Sequence, residues 1–84
     1  MSPLTPPDPD WLLQQRRAIG GRIQAARMWA NLTQEALRDL SGVDRATIQR
    51  IEAGTTDARL SWLLAISHAL HVPLDELLTG RPRD

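Results

Sequence analysis

Capping residues and glycines divide the middle of the chain into segments that can hold only two short helices. Thr33 can cap the first, which should stop before Gly42, where glycine supplies the positive φ of a tight turn. Asp44 can cap the second, which is predicted over residues 45–52 and should end before Gly54. With only about three residues between them, the two helices are expected to be joined by a tight turn.

The segment before Thr33 predicts one long helix. We expect Asp10 to cap it and Asn31, which tolerates a left-handed backbone, to end it. Gly20 and Gly21 interrupt the pattern at a cost of about 1 kcal/mol each, which indicates that another element approaches closely there. The predicted apolar stripe of this helix consists of Leu12, Ile19, Ile23, Ala26 and Ala30.

The remaining chain predicts two more helices, which makes an all-α domain of five helices. A fourth helix is expected from about Arg59 to Leu70, buried on nearly all sides, and a fifth over residues 74–78 after Pro73. The first ten residues hold four of the six prolines and have no apolar period. We therefore predict a flexible leader at 1–9, one domain at 10–80 and a flexible tail at 81–84.

Composition excludes several classes of function. The chain has 84 residues, no cysteine, no apolar run long enough to span a membrane and no signal peptide, so we expect a cytoplasmic protein. His68 and His71 are its only histidines and have no acidic partner on their face, so no metal site is predicted. No nucleophile–base–acid set and no glycine-rich phosphate loop is present, which predicts a non-enzyme without a cofactor.

The third helix presents one face that could read DNA bases. Ile48 and Ile51 define its buried side. Arginine can donate two bonds to guanine, glutamine can pair with adenine, and alanine can contact a thymine methyl group. A helix that merely faces solvent carries the same residue types, so the pattern alone leaves both interpretations open. The residues that project opposite the two isoleucines are Arg45, Ala46, Gln49 and Arg50.

Polar residues beside this face could bind the phosphates of the same duplex. The amides and dipole at the start of the preceding helix favour a phosphate, and the loop after the third helix supplies hydroxyl groups. The residues to which we assign phosphate contacts are Thr33, Gln34, Thr47, Thr55, Thr56 and Arg59.

The order and spacing of these landmarks resemble the lambda-repressor/Cro helix-turn-helix family, also called the XRE family, over about residues 18–80. The matching segments are Ile19-Gly20-x-Arg22-Ile23, Leu32-Thr33-Gln34-Glu35-x-Leu37, Ser41-Gly42-Val43, Ile48-x-x-Ile51-Glu52-x-Gly54 and Leu63-x-x-Ile66-x-x-x-Leu70-x-Val72-Pro73-Leu74. The resemblance implies five helices, sequence-specific binding to double-stranded DNA and a two-fold dimer on a pseudo-palindromic operator.

The resemblance also implies roles for individual residues. It assigns base reading to the four residues on the exposed face of the third helix. It implies that Gln34 touches phosphate and braces the first side chain of that helix, Arg45. It implies a buried ion pair between Arg27 and Glu52, in which Glu52 is structural.

Two features depart from the family. Arg38 stands where the family has alanine, at the contact between the second and third helices, so its side chain must extend outward. Ten arginines balance ten acids over the whole chain, and residues 31–59 hold four arginines against five acids. Because phosphate neutralisation supplies most non-specific affinity, we expect weak binding to random DNA.

The last two helices carry more apolar residues than one small core requires, which predicts a homodimer. Trp11 extends the first helix beyond the family's usual start, and it either packs on its own domain or reaches a second subunit. The residues assigned to the dimer face are Leu60, Trp62, Leu64, Leu74 and Leu78.

Three functions remain open from the sequence. The leading hypothesis is a transcriptional regulator of the repressor or controller type. The alternatives are a DNA-binding antitoxin that also masks a toxin, and a protein-interaction module that has lost DNA binding.

Overall fold

The computed structural model describes residues 4–82, and this part of the chain folds into five α-helices. The prediction of an all-α, five-helix domain is confirmed. No helix within residues 4–82 has the length and apolar character needed to cross a membrane. The helices are α1 (Pro9–Trp29), α2 (Gln34–Ser41), α3 (Arg45–Ala53), α4 (Leu60–Leu70) and α5 (Leu74–Thr79).

The N-terminal caps of α2 and α3 are those predicted, and that of α1 is not. Thr33 accepts a hydrogen bond from a backbone N–H of α2, and Asp44 does the same for α3. Asp8, not Asp10, caps α1, because Pro9 occupies the first helical position and Asp8 accepts from the Asp10 backbone N–H at 2.7 Å. The helix therefore begins inside the predicted 1–9 leader. Residues 1–3 and 83–84 lie outside the described residues, and the flexible leader and tail stay predictions.

A left-handed residue follows each of the five helices, and the sequence indicated three of them, at Asn31, Gly42 and Gly54. Gly42 and Gly54 have φ values of 75° and 74° at the C-terminal caps of α2 and α3. Asn31 follows α1 with a φ of 58°, and His71 caps α4 with a φ of 56°. Positive φ is unusual for residues other than glycine, but asparagine and histidine adopt it more readily than most, so both residues can end a helix.

A single apolar core joins the helices. α1 packs on α3 and α5, and α2 packs on α3 and α4. Leu12 and Ala30 of the predicted α1 stripe are exposed, because they lie near the two ends of α1 and take no part in the core cluster. The buried core residues are Ile23, Leu37, Val43, Ile48, Ile51, Ile66, Leu70 and Leu77.

Two glycines let α1 lie directly on α3. A Cβ at Gly20 would collide with the carbonyl oxygen of Ile51 and would lie 2.7 Å from that of Glu52. A Cβ at Gly54 would lie 2.8 Å from the backbone nitrogen of Arg17. Gly21 has no atom within 4 Å of the corresponding position. Of the two adjacent glycines, only Gly20 makes the predicted close approach, and this contact fixes α3 against α1.

The outer face of α4 is more exposed than predicted. Ile66 and Leu70 are buried and Trp62 is partly buried against the core. Leu60 and Leu64, however, are 63 % and 51 % exposed, so the prediction of burial on nearly all sides is wrong. The reason is that α4 packs mainly on α2 and α5, and the side that carries Leu60 and Leu64 faces solvent.

Candidate nucleic-acid interface

The exposed face of α3 carries all four predicted base-reading residues. Ile48 and Ile51 point into the core on the opposite side of the helix. The helix therefore offers two arginines, a glutamine and a small residue to solvent on one side. The four exposed residues are Arg45, Ala46, Gln49 and Arg50.

A buried ion pair holds α3 to α1. Arg27 Nε donates to Glu52 Oε2 at 2.7 Å and Arg27 Nη2 donates to Glu52 Oε1 at 3.0 Å, while the two side chains are only 11 % and 3 % exposed. Arg27 Nη1 donates to the carbonyl oxygen of Leu32 at 2.8 Å. The hydrogen bonds to Glu52 favour the charged guanidinium and raise the pKa of Arg27 above its ordinary value. The pair is structural and lies behind the exposed face.

Gln34 connects α2 to the same pair. Its Nε2 donates to Glu52 Oε1 at 3.1 Å. The side chain therefore braces Glu52 and not Arg45, the partner that the resemblance implied. Because an amide nitrogen has two hydrogens, one N–H of Gln34 remains for a ligand. Together, Arg27, Gln34 and Glu52 tie α1, α2 and α3 into one unit.

Arg45 has a different partner, Glu35. Arg45 Nε lies 3.3 Å from Glu35 Oε1, and the two side chains are 55 % and 46 % exposed. Glu35 lies in the first turn of α2 and Arg45 is the first residue of α3. This pair was not predicted from the sequence, because no local spacing rule links two residues on different helices.

Of the six residues predicted to bind phosphate, only Thr47 is buried. Thr33 and Thr55 are exposed, although Thr55 Oγ1 donates to the Arg50 carbonyl at 3.3 Å. Thr56 is partly buried. Thr47 is buried, and its hydroxyl donates to Asp44 Oδ2 at 3.4 Å. The structure argues against a phosphate contact from Thr47, because its side chain completes the cap of α3 instead of facing solvent.

Arg59 and Arg38 are both exposed and each contacts a nearby side chain. The Arg59 guanidinium lies over the Trp62 ring, 5.2 Å from its centroid, a cation–π geometry. Arg38 extends outward as predicted, and its Nε donates to Asp39 Oδ1 at 3.1 Å. His68 and His71 are both exposed, and no group of three or more metal-ligating side chains occurs in residues 4–82.

Comparisons with known proteins agree with this geometry. Residues 23–77 match the HTH_3 helix-turn-helix family. The restriction-modification controller protein C.AhdI from Aeromonas hydrophila is 31 % identical, with a TM-score of 0.74 over 76 % of this chain and 97 % of that one. The P22 c2 repressor, solved in complex with a synthetic operator, is 36 % identical, with a TM-score of 0.70 over 75 % of this chain and 96 % of that one.

A third solved structure shows the fold alone. It is the clp gene regulator ClgR from C. glutamicum, which is 23 % identical with a TM-score of 0.71 and covers 76 % of this chain and 83 % of that one. No curated protein matches the chain. The family match spans most of the described helices, and the exposed face of α3 lies within it. The chain belongs to the lambda-repressor-like (XRE) family of helix-turn-helix proteins, which are DNA-binding transcription regulators and not enzymes.

Proposed function

We propose that this protein is a repressor or controller that binds a pseudo-palindromic operator in duplex DNA as a homodimer. The observation that carries the proposal is the exposed face of α3 on a rigid support. Its polar side chains project from a helix that Arg27, Gln34 and Glu52 fasten to α1 and α2. A recognition element needs such a support, because base contacts depend on side chains held close to their binding geometry.

The proposed roles follow from the hydrogen-bonding capacity of each side chain. Arg45 and Arg50 donate two bonds each to guanine O6 and N7, Gln49 pairs with adenine, and Ala46 contacts a thymine methyl group. The phosphate contacts come from backbone and side-chain donors around this face, with Thr47 left out. These contributors are Thr33, the free N–H of Gln34, Thr55, Thr56 and Arg59.

The charge of the surface supports a regulator that depends on base contacts. Residues 31–59 hold four arginines and five acids, and two of the arginines, Arg38 and Arg45, already pair with carboxylates. Non-specific affinity for the phosphate backbone is therefore low. A dimer doubles the specific contacts, and the exposed leucines of α4 and α5 offer a surface for one.

Selection of bound duplexes from a random pool tests the proposal. The wild type should recover a two-fold symmetric motif, and the Arg45→Ala/Arg50→Ala variant should recover none. Arg50→Ala alone should lose about 1–3 kcal/mol of binding and the preference at one base pair of each half-site.

The control for Arg50→Ala is Arg81→Ala, which removes the same charge from an exposed residue beyond α5. It should keep the wild-type motif. If the folded wild type enriches no sequence even at low salt, operator binding is refuted. Capture of a toxin or another protein partner would then become the leading hypothesis.

A further inference from the structure

We propose that Glu35 is a positioning residue that holds Arg45 ready to bind guanine and so sets the base preference of the N-terminal end of α3. This inference rests on the proposed DNA-binding function and deepens it. Its basis is the cross-helix ion pair between the two side chains, in which Arg45 Nε lies 3.3 Å from Glu35 Oε1.

The Arg45 nitrogen that lies nearest the Glu35 carboxylate is one that guanine recognition through the end of the guanidinium does not need. Nε lies on the side of the guanidinium group, whereas the fork of Nη1 and Nη2 at its end matches the O6 and N7 acceptors of guanine. A carboxylate at Nε restricts the rotation of the side chain and leaves the fork for the base. Arg45 then loses less rotamer freedom on binding than an unpaired arginine would.

The exposure of the Glu35–Arg45 pair indicates that it contributes more to the orientation of Arg45 than to the stability of the fold. The Arg45 and Glu35 side chains are about half exposed, and ion pairs this exposed contribute little to stability. The buried pair of Arg27 and Glu52 already holds the helices together. The Glu35–Arg45 pair is therefore not needed to hold α2 and α3 together, and its role is to orient Arg45 on the exposed face.

The charge of Glu35 also works against binding to random DNA. Its carboxylate lies in the first turn of α2, beside the positions proposed to contact phosphate. It repels a phosphate and competes with one for Arg45. Every DNA sequence presents phosphates, but only some present guanine in register, so this competition weakens binding to random DNA most. Glu35 therefore increases the ratio of specific to non-specific affinity.

A second ion pair on α2 supplies a matched control. Arg38 and Asp39 are joined at 3.1 Å and are also exposed, but neither belongs to the base-reading set. Glu35→Gln and Asp39→Asn each remove one negative charge and one exposed ion pair from the same helix. Any difference between the two variants reports on Arg45 and not on net charge.

The experiment measures dissociation constants by fluorescence anisotropy for the selected operator, for operators changed at single base pairs and for a random duplex. Asp39→Asn should tighten binding to all duplexes alike. Glu35→Gln should tighten binding to the random duplex and lower the operator-to-random affinity ratio about 5-fold or more. The loss of sequence preference should occur at the base pair read by Arg45. In an Arg45→Ala variant, Glu35→Gln should cause no further loss of preference. Thermal unfolding checks that every variant is folded.

The outcomes separate this inference from the proposed function. If Glu35→Gln changes the ratio no more than Asp39→Asn does, or lowers it equally in the Arg45→Ala background, the positioning role is refuted while operator binding stands. If the folded wild type shows no preference for any duplex, both proposals fail.

Discussion

At the scale of single residues, the buried Arg27–Glu52 pair is the ion pair on which stability should depend most. Removing one partner leaves an uncompensated charge in a site that is almost closed to solvent. Because the pKa of Arg27 is raised, the stabilisation from its charge is complete below the pKa of the unfolded state and declines only as the pH rises through the folded value. That decline lies in the strongly alkaline range, so titration of Arg27 does not change stability near neutral pH.

Arg27→Met should lower the free energy of unfolding by about 3–5 kcal/mol, because it strands the Glu52 carboxylate. Urea unfolding followed by circular dichroism measures the change. Arg38→Met, which breaks the exposed pair with Asp39, should cost at most about 1 kcal/mol. The double variant Arg27→Met/Glu52→Leu should recover much of the loss. Equal losses for Arg27→Met and Arg38→Met would contradict the role of the buried pair.

Some features of single residues were predictable from the sequence and others were not. Gly42 and Gly54 were predictable, because a positive φ at a helix end depends on the local chain. Thr47 was assigned a phosphate contact because its residue type suits one, but whether its side chain is buried depends on the packing of α3, and its hydroxyl bonds to the Asp44 cap. The Glu35–Arg45 pair was not predictable, because it forms only when the turn brings two helices together.

At the scale of helices, the crossing of α1 over α3 depends on one of two adjacent glycines. Gly20 faces the backbone carbonyls of Ile51 and Glu52, and Gly21 faces solvent. The sequence indicated a close approach at the pair but could not assign it, because that choice depends on the rotation of α1 about its axis. The N-terminal cap of α1 was also misassigned. Asp8 and Asp10 can both cap a helix, and Pro9 at the first helical position selects Asp8.

Gly20→Ala and Gly21→Ala should therefore change stability in opposite directions. The added methyl group at Gly20 meets backbone atoms that cannot rotate away, so about 2 kcal/mol or more of stability should be lost. At Gly21 the methyl group meets nothing, and the better helix propensity of alanine should add about 0.5–1 kcal/mol. Thermal unfolding of both variants measures the difference. A neutral Gly20→Ala would mean that α1 and α3 are farther apart than described.

At the scale of the whole molecule, the zero net charge and the exposed leucines both favour a dimer that binds its operator through base contacts. A chain with a net charge of zero gains little from the phosphate backbone, so operator affinity must come from base contacts made twice. Leu60, Leu64 and Leu78 are exposed on α4 and α5, the two helices proposed for the dimer face. Trp62 and Leu74 are half-buried and would border that face. Burial of this surface in a dimer would offset the cost of its exposure to water.

Leu64→Glu should convert a dimer into a monomer, because it places a charge within the proposed interface. Sedimentation equilibrium measures the change in mass, and operator binding should weaken in parallel as each subunit acts alone. Leu40→Glu provides the control for oligomeric state, since Leu40 is similarly exposed but lies on α2. If both variants remain dimers, the dimer face lies elsewhere, and Trp11 at the start of α1 becomes the next position to change. If the wild type is a monomer at concentrations that saturate its operator, two-fold recognition by a preformed dimer is refuted.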